Sequence, residues 1–290
     1  MNKKMISAPY IAWTVVFIVV PLAMVAYFAF TDSSGNFTLD YISEVAQYSN
    51  IFVRSIWLAA IATAVCLVIA YPVAFILSTM KKRHQGTMLM IVMLPMWMNF
   101  LLRTYAWMTI LGNNGIINSF LGLFGMGPYK LLNTQGAVVL GMVYNYIPYM
   151  ILPLYSVMVK IDKMLLEAAQ DLGCNSNKVL FKVVLPLSLP GVTSGITMVF
   201  VPAISTFIIS RMLGGGGNLL VGDLIEMQFL GNSYNPNLGA GISLVLMVIV
   251  LLIMTIMNNI LNLIGADPNL QMLIKGVVIL VAVLIQRQDD

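Results

Sequence analysis

Charge is what this chain has least of. Asp, Glu, Lys and Arg make up only 9% of its 290 residues, against 60% hydrophobic. A soluble domain carries about 25% charged residues, so this composition cannot coat a water-facing surface and part of the solvent must be lipid. Histidine occurs once and cysteine twice. Cys66 lies in an apolar stretch and Cys174 in a polar one, without metal-ligand spacing or a neighbouring histidine, so both read as incidental thiols. There is no HExxH and no acidic metal cluster, so nothing supports a membrane-embedded enzyme. Four consecutive glycines from Gly214 are not followed by the Lys-Ser or Lys-Thr of a phosphate-binding loop; they are expected to relax the backbone instead. The net charge of +4 is small, and in so apolar a chain it points to the cytoplasmic membrane face rather than to nucleic acid.

Long hydrophobic runs are what the chain does have. A helix needs about 20 apolar residues to cross the hydrocarbon of a bilayer. Six segments qualify, at roughly 10–30, 53–79, 87–111, 136–158, 190–212 and 239–262. The first, Tyr10 to Phe30 behind Lys3 and Lys4, is longer than a signal-peptide core and no small-x-small cleavage site follows, so it reads as an uncleaved spanning helix. Pro72, Pro95, Pro148, Pro153 and Pro202 fall inside spans, where each frees a carbonyl and kinks the helix. Gly191 and Gly195 form a GxxxG that suits close helix packing. The expected fold is an all-α integral membrane protein of six transmembrane helices. It forms one domain over 1–262, followed by an atypical tail over 263–290.

Basic residues orient it. Lys3 and Lys4, then Lys81, Lys82, Arg83 and His84, then Lys160, Lys163, Lys178 and Lys182 occupy alternate loops. The other loops hold Asp32, Asp40, Glu44, Asp223 and Glu226. Positive loops stay in the cytoplasm, so the N-terminus and the loop over 160–189 are expected inside. The external loop from Gly112 to Gln135 carries Phe120, Leu121, Leu123 and Phe124 in its middle, which suits a short interfacial helix.

The 160–189 loop is long and not simply polar. Leu165, Leu166, Ala168, Ala169 and Leu172 recur at helical spacing, Asp162 can cap the helix start, and Gly173 can end it. A second helical stretch is expected from about Ser176 to Val184, stopped by Pro186 and Pro190. The physics leaves two readings open: an exposed docking element with small residues on one face, or an amphipathic pair lying on the membrane.

Glu167-Ala168-Ala169, three residues, Gly173, nine residues, Val183, one residue and Leu185-Pro186 resemble the EAA loop of binding-protein-dependent ABC importer permeases, with Val183 where the family has Ile. The resemblance implies the type I permease fold and a loop that docks in a groove of a cytoplasmic ATPase, with Glu167, Ala168, Ala169, Asp171 and Gly173 carrying the contact. Arg103-Thr104-Tyr105-Ala106-Trp107, the stretch Tyr146 to Tyr155, and Gly222-Asp223 through Gln228-Phe229 resemble the PotB-type first permease subunits of spermidine/putrescine importers, over about residues 5–257. This implies a multi-pass protein of the bacterial cytoplasmic membrane that is not an enzyme and binds no cofactor. ATP would be used by a PotA-like ATPase dimer; the other partners would be a second, PotC-like permease subunit and an extracytoplasmic, PotD-like polyamine-binding protein. Relatives for iron, thiamine or sulfate are the nearest alternative. An ion-gradient-driven secondary transporter would need ionisable residues inside its helices or broken helices near the midplane; Arg103 is the only charge deep within a span, and no acidic residue is.

A polyamine path needs carboxylates and π faces. Asp223 and Glu226 are the acids of the second long outer loop, and Trp97, Tyr105, Trp107, Tyr144, Tyr146 and Tyr149 lie in the third and fourth segments. The aromatics equally suit an interfacial belt. Arg103, inside the third segment, is a candidate gate or helix anchor, or a side chain that snorkels to the outer interface. In the tail, Met272 to Ile285 is an apolar run of about 21 Å as a helix, too short to span comfortably. Its wording around Asp267 to Met272 and Lys275 to Ala282 resembles ribose-type sugar permeases instead.

Overall fold

The structure is a computed structural model that describes residues 3–263 except Ser33 and Asn232. The tail expected over 263–290, with its ribose-type resemblance and its half-inserted helix, lies beyond Leu263 and so outside the described residues.

The described residues are helical almost throughout. In chain order, α1 covers Pro9–Ala29, α2 Ser49–Thr79, α3 Lys82–Trp97, α4 Phe100–Leu111 and α5 Ile116–Gly122. Then come α6 Gln135–Met158, α7 Lys163–Asp171, α8 Leu185–Ile204, α9 Ile208–Gly214, α10 Val221–Leu230 and α11 Pro236–Leu263. Five stretches are long and apolar enough to cross a membrane, and α3 with α4 makes a sixth if their bent pair counts as one span. This agrees with the expected all-α fold of six spans.

Two expected helices differ in course. The third segment is not one helix, because α3 stops at Trp97 and the chain turns by 85°. Met98 is extended, at φ −75° and ψ 147°. Asn99 Oδ1 then accepts the amides of Leu101 at 2.9 Å and Leu102 at 3.3 Å, capping a new helix. Pro95 weakens the end of α3, and Asn99 offers the backbone an alternative to continuing it. The fifth segment begins earlier and ends earlier than expected. Pro186 and Pro190 do not stop the helix that begins at Ser176; it runs on through Ile204. A wide π turn at Leu180–Val184 lies immediately before Pro186. A second, at Val15–Val19, lies just before Pro21. Such a turn makes room for a pyrrolidine ring that a regular α-helix would clash with.

The chain forms two compact units. One takes the chain up to Ala59 with Thr104–Gly141 and Ile204–Ile249, and the other takes Ala60–Arg103, Met142–Ala203 and the described chain from Val250. In the first unit Ile209, Leu213, Leu220, Val221 and Ile242 are fully buried. Asn237 Nδ2 ties the start of α11 to the end of α1, donating to the carbonyls of Phe28 at 3.1 Å and Thr31 at 2.6 Å. The glycine run after α9 is pinned rather than loose: Arg54 Nη1 donates to the Gly217 carbonyl at 3.0 Å, and Asn218 Nδ2 to that of Gly214 at 2.8 Å. Gly215, at φ +63°, packs so close to Asn133 that a Cβ there would lie 2.9 Å from its side chain. In the same unit Asn118, buried on α5, donates to the carbonyls of Gly112 and Tyr129 and accepts the Tyr129 amide, which fixes the short helix and leaves Phe120, Leu123 and Phe124 exposed.

In the second unit, Ala62, Cys66, Ala70 and Ala74 form a fully buried small-residue stripe on α2, with Cys66 Sγ 3.8 Å from the Val143 carbonyl oxygen. Tyr71 on α2 and Ser188 on α8 share a hydrogen bond of 2.9 Å. The expected GxxxG contact is present. A Cβ on Gly191 would lie 2.9 Å from the Pro153 carbonyl, and one on Gly195 would lie 2.5 Å from Met150 Sδ, so α8 packs here directly on α6.

Candidate functional site

The 160–189 loop is built almost entirely by local hydrogen bonds. Ile161 leads into Asp162, whose Oδ1 accepts the Met164 amide at 3.0 Å and so caps α7. At the other end the Gly173 amide donates to the Gln170 carbonyl at 2.8 Å and the Cys174 amide to that of Ala169 at 3.1 Å. These two bonds form a Schellman closure, and Gly173 takes the left-handed φ of +81° that it requires. Asn175 Oδ1 accepts the Lys178 amide at 3.0 Å and starts the next helix. The turn is therefore specified by Asp162, Gly173 and Asn175, without support from a core.

One face of α7 is held and the other is free. Leu166 lines a cavity of about 90 Å³ with Phe75, Ser78, Thr79, Met158 and Val184. Away from it, Glu167, Ala168, Asp171 and Gly173 are exposed, while Ala169, one turn on from Leu166, is half-buried. Leu172 is 86% exposed, next to the exposed Met164 and Leu165. A short helix with small and apolar residues turned outward is a surface shaped for close contact.

The other candidate residues divide between the units. The second unit holds the loop together with Trp97, Arg103, Tyr144 and Tyr149. Trp97 is exposed in the last turn of α3. Tyr144 is half-buried and Tyr149 is exposed. The Tyr149 ring sits 6.4 Å from that of Tyr146, tilted by 55°. Tyr146, buried, donates its hydroxyl to the Pro202 carbonyl at 3.3 Å. Arg103 does not snorkel: it is 8% exposed and stacks over Phe100, with Cζ 5.9 Å from the ring centroid. The first unit holds Tyr105, Trp107, Asp223 and Glu226. Tyr105 is exposed and Trp107 half-buried.

The two outer-loop acids are not the pair of open carboxylates that their loop position suggested. Asp223 is 0% exposed. Its Oδ2 accepts the Leu220 amide at 2.8 Å, capping its own helix α10, while Ser55 Oγ accepts the Val221 amide at 2.9 Å. Burial pushes the Asp223 carboxyl above its ordinary range, and the Leu220 amide and the Arg211 charge pull the other way. Glu226 makes a bidentate ion pair with Arg211, whose Nη1 donates to Oε1 at 3.0 Å and whose Nη2 donates to Oε2. Sequence reasoning missed this partner. Arg211 falls at the end of the segment expected to be the fifth span, whereas the chain leaves that span at Ile204 and places Arg211 on α9. An i to i+15 pairing across a helix break has no periodic signature.

Comparison with known proteins places this arrangement. The family model for binding-protein-dependent transport system inner membrane components matches residues 70–267. The spermidine/putrescine transport system permease protein PotB of Haemophilus influenzae is 36% identical over 273 residues, covering 90% of this chain and 95% of that protein. PotB of Escherichia coli is 34% identical over 249 residues, covering 82% of this chain and 90% of that protein. Among solved structures, a bacterial ABC transporter involved in the import of the acidic polysaccharide alginate has a chain of the same fold. It matches with a TM-score of 0.74 and 16% identity, over 91% of this chain and 96% of that one.

Proposed function

Because the chain belongs to the family of binding-protein-dependent transport system inner membrane components, we propose that it is the PotB-like permease subunit of a polyamine importer, for spermidine or putrescine. The observation that carries the substrate class is the 36% identity to a spermidine/putrescine permease along 90% of the chain. The same comparison supports polyamines over iron, thiamine or sulfate. The chain is a multi-pass membrane protein of a multi-subunit ABC importer rather than an enzyme. Its N-terminus and the 160–189 loop face the cytoplasm, as the basic loops require. A PotC-like permease completes the pore, a PotA-like ATPase dimer uses the ATP, and a PotD-like binding protein delivers the cargo outside.

The exposed face of α7 is the ATPase contact, made by Glu167, Ala168, Ala169, Asp171 and Gly173. The capped, Schellman-closed helix supports this reading, because a short element that transmits force must keep its shape without a core around it. Along the path, Trp97, Tyr105, Trp107, Tyr144 and Tyr149 supply π faces to a flexible polycation. Glu226 supplies a carboxylate that Arg211 holds in place, and Asp223 sets the start of the helix that carries it. Cargo and ATP drive the cycle by favouring different pore states.

The test is ATP-dependent uptake of labelled spermidine by the complete importer in proteoliposomes. Competition by putrescine but not by thiamine, sulfate or iron is expected. Uptake that ignores excess polyamine refutes the substrate assignment. Ala168→Arg, on an exposed surface, should release the ATPase and abolish uptake while the permease remains folded.

A further inference from the structure

Among the described residues, Arg103 is a buried cation with no carboxylate paired to it. Arg103 is 8% exposed, and neither its Nε nor its Nη1 has a hydrogen-bond partner among the described residues. Among the described residues the ion pair is that of Arg211 with Glu226, and no carboxylate reaches Arg103. The guanidinium lies over the face of Phe100, with Cζ 5.9 Å from the ring centroid. The backbone adds to the cost. Asn99 caps α4, so Arg103 sits in the opening turn of that helix, and its amide donates to the Asn99 carbonyl at 3.2 Å. This is the positive end of the helix dipole, where a cation is disfavoured. A buried charge of this kind is retained only if something pairs it.

The cargo cannot be that partner, since a polyamine is itself a cation. The surroundings favour a protein. Trp97, 73% exposed, and Leu102, 65% exposed, flank the bend on which Arg103 sits, with Met98 and Leu101 also open. A bend that carries an Arg, an exposed Trp and exposed large aliphatic side chains within a few residues has the composition of an interface centre. A guanidinium so far withdrawn suits a slender carboxylate from a neighbouring helix better than a lipid phosphate on its glycerol, which would pair with an Arg that reached the surface.

We propose that the bend between α3 and α4 is the docking surface for the second permease subunit, and that an Asp or Glu in a membrane segment of that subunit pairs with Arg103. This rests on the reading of the chain as one of two pore subunits. Pairing makes Arg103 an assembly check, because a charge left unpaired among the described residues of the isolated chain is neutralised by the correct partner.

The sign of one substitution tests this. Arg103→Met removes a charge that the lone chain cannot pair, so the purified single subunit should melt at the same temperature or higher. In the complete importer the same change should loosen the pore: less second permease co-purifies, and spermidine uptake falls at least tenfold. Arg103→Glu should do worse, and a library of single Asp→Arg and Glu→Arg changes in the second permease's membrane segments should contain one that restores both co-purification and uptake. The proposal is overturned if Arg103→Glu retains the second permease at the wild-type level. It is also overturned if no library member rescues and wild-type uptake instead follows the phosphatidylglycerol content of the proteoliposomes, which assigns Arg103 to lipid. Failure of the unmodified chain to co-purify with any second permease is a different outcome, and counts against the two-subunit pore itself.

Discussion

Substituting Gly173 separates the proposed coupling role of α7 from its folding. Gly173 is held at φ +81°, and a Cβ placed on it would meet nothing within 4 Å. A side chain there therefore costs backbone strain alone, about 1–2 kcal/mol for an L-residue in the left-handed region. That is a factor of roughly 5–30 in the equilibrium between closed and frayed ends of the helix. None of it falls on a core, because Asp171, Leu172 and Gly173 are exposed, so the melting temperature of the permease should not move measurably. Asn occupies the left-handed region more readily than Ala, and Val less readily than either. The expected order is Gly, Asn, Ala, Val, in both spermidine uptake by proteoliposomes and retention of the ATPase on the purified complex. Wild-type uptake and ATPase retention in the Val variant would refute the reasoning. So would an order that follows side-chain size, with Asn as damaging as Val, because contact rather than conformation would then be at stake.

Three further outcomes follow from other parts of the structure. Gly191→Ala should destabilise by about 1–3 kcal/mol, because its Cβ would press on the Pro153 carbonyl. Gly195→Ala should cost less, because its closest contact, at 2.5 Å, is the flexible Met150 side chain and the Met150 carbonyl lies farther off at 3.3 Å; thermal melting of the two variants in the same detergent checks the order. Glu226→Gln breaks an ion pair whose arginine is half exposed, so stability should fall by no more than about 1 kcal/mol and the difference should fade in high salt. Uptake should nonetheless drop, and unchanged uptake removes Glu226 from the path. Asp223 has its carboxyl raised by burial above the ordinary 3.8. The folded state therefore binds the proton more tightly than the unfolded one, and stability declines as pH rises from about that ordinary value through the raised one. Asp223→Asn keeps an oxygen to accept the Leu220 amide and loses the titration. Its melting temperature should gain on the wild type at neutral pH and lose that advantage in acid, and parallel pH profiles would contradict the assignment.

Much of the loop was legible from residue types because its structure is local. Asp162 and Gly173 are a cap and a left-handed stop, whose hydrogen bonds reach only two to five residues along the chain. The GxxxG contact was legible for a related reason: without side chains at Gly191 and Gly195, α8 can lie directly on a neighbouring backbone. Expectations failed where a local signal competed with its surroundings. Pro186 and Pro190 read as helix stops, yet the helix runs through both, with a π turn just before Pro186, since in an apolar setting a continued helix satisfies more backbone groups than a broken one. Asn99, in an apolar run, carried no weight in the search for spans, yet it starts a new helix.

The sparse charge with which the sequence opens was by itself enough to establish a lipid-embedded bundle of helices, because apolar length is a local quantity that a bilayer converts directly into spans. The motif around Glu167 to Gly173 likewise needed no folded context to be recognised. Which acids are free and which are engaged was decided only by the tertiary structure. Asp223 and Glu226 look alike in sequence, three positions apart; one is buried under its own helix cap, and the other is clasped by Arg211 from across a break in the chain. Arg103 looks like a surface anchor and is instead enclosed, with no counter-ion among the described residues. Burial and pairing depend on what distant segments bring to a site, and no periodicity within one segment encodes that.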